Sequence, residues 1–181
     1  MTSLQQPFVL NVGFIVAQTV GYSREFPCEF EQVRLEEDIF REVQGTITVT
    51  RTGQGLLFQT QMGATTEVAC TRCLENFSLR LESRFDELFA FSANAVAETD
   101  LIVPESGRID FAPLLREYLL LEVPIQPVCR PTCKGLCPVC GGNLNQTVCQ
   151  HEEDFTDPRF AILKQLLNSS PTSDESGSDA L

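Results

Sequence analysis

The sequence is short of positive charge. It carries 13 lysines and arginines against 25 aspartates and glutamates, a formal net charge of −12 over 181 residues. Gripping phosphate takes clustered Lys and Arg, so this balance argues against a chain that holds nucleic acid through its own surface. A chain this acidic is better suited to meeting a basic protein, or to staying soluble by self-repulsion. The first twenty residues, MTSLQQPFVLNVGFIVAQTV, are followed by the first basic residue at Arg24. The positively charged region of a secretory signal is therefore missing. No uninterrupted apolar run approaches the ~20 residues that cross a bilayer. The expected setting is the cytoplasm or a similarly reducing compartment.

Histidine is nearly absent as well: His151 is the single one. That leaves no Ser-His-Asp order and no H-E-x-x-H, and no phosphate loop is present. The acidic runs Glu36-Glu37-Asp38 and Glu152-Glu153-Asp154 read as solvated faces. The chain is expected to be no enzyme.

What is present begins with a hydrophobic content of 43%, enough for a real core. Residues 8–16 form an apolar, β-branched run. In residues 45–50, Ile47 and Val49 alternate with Thr46, Thr48 and Thr50. Residues 56–62 follow Thr52-Gly53-Gln54-Gly55, a hairpin turn, and Phe77, Leu79 and Leu81 alternate with polar neighbours. This is the period of an antiparallel sheet with one wet face. Residues 92–107 read as a connection with a short strand at 101–103. Then the period changes to that of a helix near 110–122: Phe111, Leu114, Leu115, Tyr118 and Leu119 share one face. Asp110 is placed to cap it, Pro113 sits in its first turn, and Pro124 and Pro127 stop it. A short C-terminal helix starts at Asp157-Pro158, with Phe160, Leu163 and Leu167 as its stripe.

The expected fold is α+β: an antiparallel β-rich sheet or partly open barrel, with one central and one C-terminal helix and a zinc-stapled, cysteine-rich segment. The expected divisions are a β-rich domain over residues 1–125, a cysteine-rich segment with its helix over 126–168, and a disordered acidic tail over 169–181.

Seven of the eight cysteines cluster, as Cys70-x-x-Cys73, Cys129-x3-Cys133 and Cys137-x-x-Cys140, with Cys149 near His151. In a reducing compartment such spacing favours metal over disulfides. A C-x-x-C pair sets two thiolates on one tight turn, suited to two corners of a zinc tetrahedron. Zinc is borderline soft and makes no geometric demand of its own, so four such ligands close its shell. Gly141 lets the loop after Cys140 turn with positive φ. Seven cysteines and one histidine divide into two groups of four. The favoured division is Cys70, Cys73, Cys129 and Cys133 as a long-range site, and Cys137, Cys140, Cys149 and His151 as a local one. The alternatives are a solvated His151 with a partial second site, or a single site drawing on Cys133, Cys137, Cys140 and Cys149. Cys28, in Phe26-Pro27-Cys28-Glu29-Phe30, reads as a buried small hydrophobe. Filled, an all-thiolate site contributes −2 and a three-thiolate site −1, taking the chain to about −15.

Two stretches carry a family resemblance. Cys70-Thr71-Arg72-Cys73-Leu74 followed by a strand, and VPIQPVCRPTCKGLCPVCGGNLNQTVCQH with DPRFAILKQL after it, resemble the YceD-like family, the large ribosomal RNA subunit accumulation proteins of bacteria and plastids. The resemblance runs over residues 8–167. It implies a β-rich domain, a cytoplasmic location (plastid stroma in a plant), and a role in accumulation of large-subunit (23S) ribosomal RNA. Cys70 and Cys73 match the family's C-x-R-C, Cys137 and Cys140 its C-P-x-C-G, and Cys149 the first residue of a frequent C-x-C whose second cysteine is here His151. Some members lack the 137–149 block, which leaves the early pair with Cys129 and Cys133 as the shared element. A chain so acidic is expected to act through a basic ribosomal or assembly protein, touching ribosomal RNA indirectly and neither DNA nor membrane. Two rivals stand beside this reading. One is a zinc protein binding RNA directly through Arg130 and Lys134, with Arg159 and Lys164 beyond. The other is a thiol redox protein, with Arg72 lowering a thiol pKa, although no thioredoxin-like βαβ pattern surrounds it.

Overall fold

A computed structural model describes residues 7–92 and 101–150. In chain order the elements are β1 (Val9–Asn11), α1 (Gly13–Val16), β2 (Ser23–Leu35), β3 (Asp38–Arg51), β4 (Gly55–Ala69), β5 (Asn76–Ala90), β6 (Arg108–Asp110) and α2 (Ala112–Leu121). The expected C-terminal helix with Phe160, Leu163 and Leu167, the tail over 169–181, and His151 lie outside the described residues.

Four strands, β2-β3-β4-β5, form one open antiparallel meander, and β1 pairs with β6 in a second, two-stranded sheet. The alternation of Ile47 and Val49 with threonines does place the apolar pair in the core and the threonines outward. The strands are longer than the alternation marked, and their sided pattern breaks. In β2 the inward residues are Phe26, Cys28 and Phe30, then Val33 and Leu35. β3 switches at the paired position, from Phe40 to Val43, where Glu42 has φ 50° and the β3–β4 register shifts. A bulge of this kind moves every following side chain to the other face, so a period-two reading loses the strand. Further along, the strands cross so tightly that only glycine fits. A Cβ on Gly45 would lie 2.1 Å from the Gln61 carbonyl oxygen, and one on Gly55 2.1 Å from that of Phe89.

The expected strand over 8–16 is corrected at its second half. β1 ends at Asn11 and the chain turns into α1, because the N–H groups of Val12 and Gly13 both donate to the Gly107 carbonyl, at 2.8 and 3.1 Å. Gly107 itself holds φ 64° and approaches within a side chain's width of Gly13. Near 101–103 the chain makes a single parallel bridge, Ile102 to Ala90, with two 2.9 Å hydrogen bonds around it.

Helix α2 forms where its periodicity indicated, and Leu115 and Leu119 are its buried residues. The N-cap position falls on Phe111, whose side chain has no acceptor, and the expected cap Asp110 stands one residue before it, its Oδ1 accepting from the Ala112 N–H at 3.1 Å. Its face meets an aromatic layer: Phe111 stacks on Phe58 and Phe85 at 5.4 and 5.9 Å, and Tyr118 on Phe85 at 3.8 Å. Each such pair adds about 0.5–1.5 kcal/mol beyond the area it buries. Arg116 reaches from the helix to Asp38 at 2.7 Å and Glu36 at 3.3 Å, tying α2 to the β2–β3 turn. Those two carboxylates are therefore ion-paired, and not simply the solvated face that their run suggested. Among the described residues no helix is long and apolar enough to cross a membrane.

A second, smaller buried cluster forms at the far end of the β4–β5 hairpin. Cys70, Cys73 and Cys133 are its buried members, with Phe77, Val128 and Cys129 packed against them.

Candidate metal centres

β4 and β5 pair in unbroken register down to Ala69 opposite Asn76. The six residues between, Cys70 to Glu75, are therefore the hairpin's own turn. Cys70 N–H donates to the Glu75 carbonyl and Leu74 N–H to the Cys70 carbonyl, both at 2.9 Å. This closes a knuckle that aims Cys70 and Cys73 the same way. Leu74 takes φ 61° to make the turn, an uncommon conformation for a branched side chain, and its side chain is two-thirds exposed.

The late segment is brought to that turn by the backbone. Thr71 donates through both its N–H and its Oγ1 to the Pro127 carbonyl, at 2.9 and 3.1 Å. Arg72 Nη1 donates to the Cys133 carbonyl at 3.1 Å, and the Arg72 carbonyl accepts from Leu136 N–H at 3.1 Å. The outcome is a quartet. Cys70 Sγ lies 3.9 Å from Cys133 Sγ and Cys73 Sγ 3.8 Å from Cys129 Sγ, and all four sulfurs lie within 4.8 Å of one another. A tetrahedron with Zn–S of ~2.3 Å has sulfur-to-sulfur edges of about 3.8 Å. The inner group thus fits a single metal ion, and three of its four cysteines are buried.

A second knuckle repeats the first. Cys137 N–H donates to the Gly142 carbonyl at 2.8 Å and Gly141 N–H to the Cys137 carbonyl at 2.9 Å, with Gly141 at φ 70°. Cys149 returns to it, its Sγ 3.6 Å from that of Cys140. Cys137, Cys140 and Cys149 form an outer group whose sulfurs also lie within 4.8 Å, with Cys140 exposed. His151, expected as the fourth donor, lies outside the described residues, so three corners of this tetrahedron are placed. Gly135, at φ 77°, turns the chain between the two groups against the Arg72 backbone.

Electrostatics separate the sulfurs within each group. The Cys129 backbone amide does most to draw Cys70 down to about 6. Burial first, then the neighbouring sulfurs, push Cys129 up to about 12. Burial raises Cys133, but the Asn145 carboxamide and the Gly135 amide outweigh it, and the net direction is downward. In the outer group the Cys140 and Val139 amides draw Cys137 down, while the Cys140 sulfur pushes Cys149 up to about 11. Crowded thiolates repel, and a divalent cation among them would let every one ionise. Backbone amides aimed at the sulfurs serve the same end. Cys28 stands apart in the main core, where burial raises its thiol.

Sequence reasoning missed a set of polar residues that fasten one centre to the other. Asn145 Nδ2 donates to Cys133 Sγ at 3.4 Å, and Asn145 Oδ1 accepts from Lys134 N–H at 2.9 Å. Asn143 Oδ1 accepts from both the N–H and Nδ2 of Asn145, at 2.9 and 2.8 Å. Gln146 donates to Glu75 of the hairpin knuckle. The run G-G-N-L-N was visible, but nothing in its spacing assigned a partner to either asparagine.

Comparison with known proteins bears on the same region. The family model described as large ribosomal RNA subunit accumulation protein YceD matches residues 58–167, from β4 through both cysteine groups. The chain belongs to the YceD family. A Mycobacterium tuberculosis protein described as uncharacterized is 36% identical over 133 residues, covering 71% of this chain and 62% of the relative. The Bacillus subtilis protein YlbN, likewise uncharacterized, is 31% identical over 100 residues, 54% of this chain and 58% of its own length. An Arabidopsis thaliana relative, named large ribosomal RNA subunit accumulation protein YCED homolog 1, chloroplastic, is 35% identical over 63 residues, 35% of this chain and 20% of the relative. The chain thus spans about three-fifths of the mycobacterial relative's length. No solved structure matches it.

Proposed function

We propose that this YceD-family protein is a non-enzymatic factor of large-subunit ribosome biogenesis. In this reading it promotes accumulation of 23S ribosomal RNA by binding a basic ribosomal or assembly protein. The family match over residues 58–167 is the observation that carries the reading. The partner's chemistry follows from the net charge of −12, which repels RNA and attracts a basic protein.

Both cysteine groups hold Zn2+ as structural ions. Four thiolates close the inner shell and leave no position for a catalytic water. Cys137, Cys140 and Cys149 give three corners of the outer shell, and His151 gives the fourth. The ions staple a segment with too few apolar residues to fold alone onto the end of the β4–β5 hairpin. The protein acts in the cytoplasm, or in the plastid stroma of a plant.

The deciding experiment deletes the gene, profiles ribosomal subunits and quantifies large-subunit rRNA. A deficit of large subunits and of 23S rRNA, restored by the intact gene, is the expected outcome. Normal profiles across several growth conditions end the reading.

One observation favours a second reading, direct RNA contact. Arg72 of the hairpin knuckle is bonded to the segment that carries Arg130 and Lys134, so three basic residues gather at the inner centre. Direct contact predicts RNA affinity that falls steeply with salt, and a shallower slope when these residues are reversed in charge. Binding that is absent or insensitive to salt leaves the protein partner as the route.

A further inference from the structure

We propose that Asn145 couples the two cysteine centres: the outer centre fixes the loop whose carboxamide holds a sulfur of the inner one, so loss of the outer ion loosens the inner. The inference rests on both groups being metal centres.

Asn145 belongs to the stretch between Cys140 and Cys149, which the outer centre closes at both ends. Within that stretch Gln146 N–H and Thr147 N–H both donate to the Asn143 carbonyl, and Leu144 N–H donates to the Gly135 carbonyl. The loop is thereby closed by its own backbone bonds and tied to Gly135, at the joint between the centres. Its carboxamide orientation is fixed by chemistry. The Lys134 backbone N–H can only donate, so the atom facing it is Oδ1, and Nδ2 must face Cys133 Sγ. The second Nδ2 hydrogen goes to Asn143 Oδ1. Asn145 thus clamps Cys133 from two sides, through its sulfur and through the next residue's amide. A hydrogen bond to a ligating thiolate offsets charge on the sulfur and holds its position, and removing such a partner commonly lowers metal affinity by about 10–100-fold. Gln146, donating to Glu75, adds a second tie from the same loop to the opposite knuckle.

The test loads the full chain with zinc, confirms the metal count, and follows exchange of the bound ions against an excess of isotopically labelled zinc, so that the outer centre stays filled while the inner ion is read. The wild type is expected to exchange two ions in two steps, the outer one faster. Asn145→Ala should keep both ions and speed the slow step about tenfold or more. Asn145→Asp keeps the acceptor for Lys134 N–H but cannot donate to sulfur, and should do the same even if the alanine variant disturbs the loop. Cys140→Ser should retain one ion, exchanged as fast as the slow step of Asn145→Ala, and the double variant should be no faster. An unchanged slow step in both Asn145 variants, with two ions bound, overturns the coupling and leaves the metal centres standing. Fewer than two ions per wild-type chain purified under reducing conditions overturns the coupling, and fewer than one overturns the metal reading with it.

Discussion

The chain builds one local shape twice and anchors it in two different ways. Cys70 to Glu75 and Cys137 to Gly142 share the same pair of backbone hydrogen bonds and the same left-handed residue after the second cysteine. In the first, that residue is Leu74; in the second, Gly141. The first knuckle is the turn of a hairpin of two fifteen-residue strands, and its sulfurs meet others in a buried quartet. The second hangs on loop backbone, with Cys140 exposed. The difference teaches that a knuckle's geometry is set by its own amides, while its permanence is set by what carries it. The hairpin lets the first knuckle tolerate a strained residue that the second, without that scaffold, avoids.

The comparison can be broken most forcefully at the inner centre. Cys133→Ser should release the inner ion and strip hydrogen-exchange protection from residues 127–136, since a structural zinc in a small finger is worth about 10–16 kcal/mol. Protection in β3 and β4 beside Phe58 should survive, and a global collapse would show that the two clusters are one cooperative unit. Cys140→Ser should lower the zinc count from two to one and loosen residues 137–149, with the unfolding of the sheet shifted by less than about 1 kcal/mol.

Smaller changes probe the matched positions. Gly141→Ala should cost about 1 kcal/mol and Leu74→Gly should gain about as much, because only the latter relieves a side chain held at positive φ. Denaturant midpoints measure both, and effects of the same sign would dissolve the contrast. The smallest effect lies in the sheet half and serves as a control. Tyr118 donates to Glu87, and that bond, followed by burial, raises the phenol to about 12. A phenol raised above its unfolded value of 10 contributes stability that is complete below pH 10 and lost as pH climbs toward 12. Tyr118→Phe should cost under about 1 kcal/mol at neutral pH, flatten that alkaline decline and leave zinc content untouched.

The sequence already placed some of this. The Ile47 and Val49 alternation, the Thr52 to Gly55 turn and the stripe of α2 are local patterns with one dominant period, and each element is where its pattern lies. The division of seven cysteines into an inner four and an outer three also follows their spacing. β2 was invisible because its inward residues change parity at the position where β3 changes too, a compensation that only pairing reveals. α1 depends on two amides finding the Gly107 carbonyl more than ninety residues away, and Asn145 on a sulfur that another part of the fold delivers. No local period encodes either contact.

The inner quartet also sets an order in which the chain can be completed. It joins Cys73 to Cys129 and Cys70 to Cys133 across 56 and 63 residues, whereas Cys140 and Cys149 are nine apart. Closing a short loop takes little from chain entropy and can happen in a stretch that is otherwise unfolded. Bringing the long pairs together requires β5 and α2 to be in place first, so an ion held by the inner four would be a late arrival that seals a nearly finished fold. A chain emerging from the ribosome would gather the outer cysteines within moments of their synthesis, and would seal the inner four only after the sheet behind them had formed.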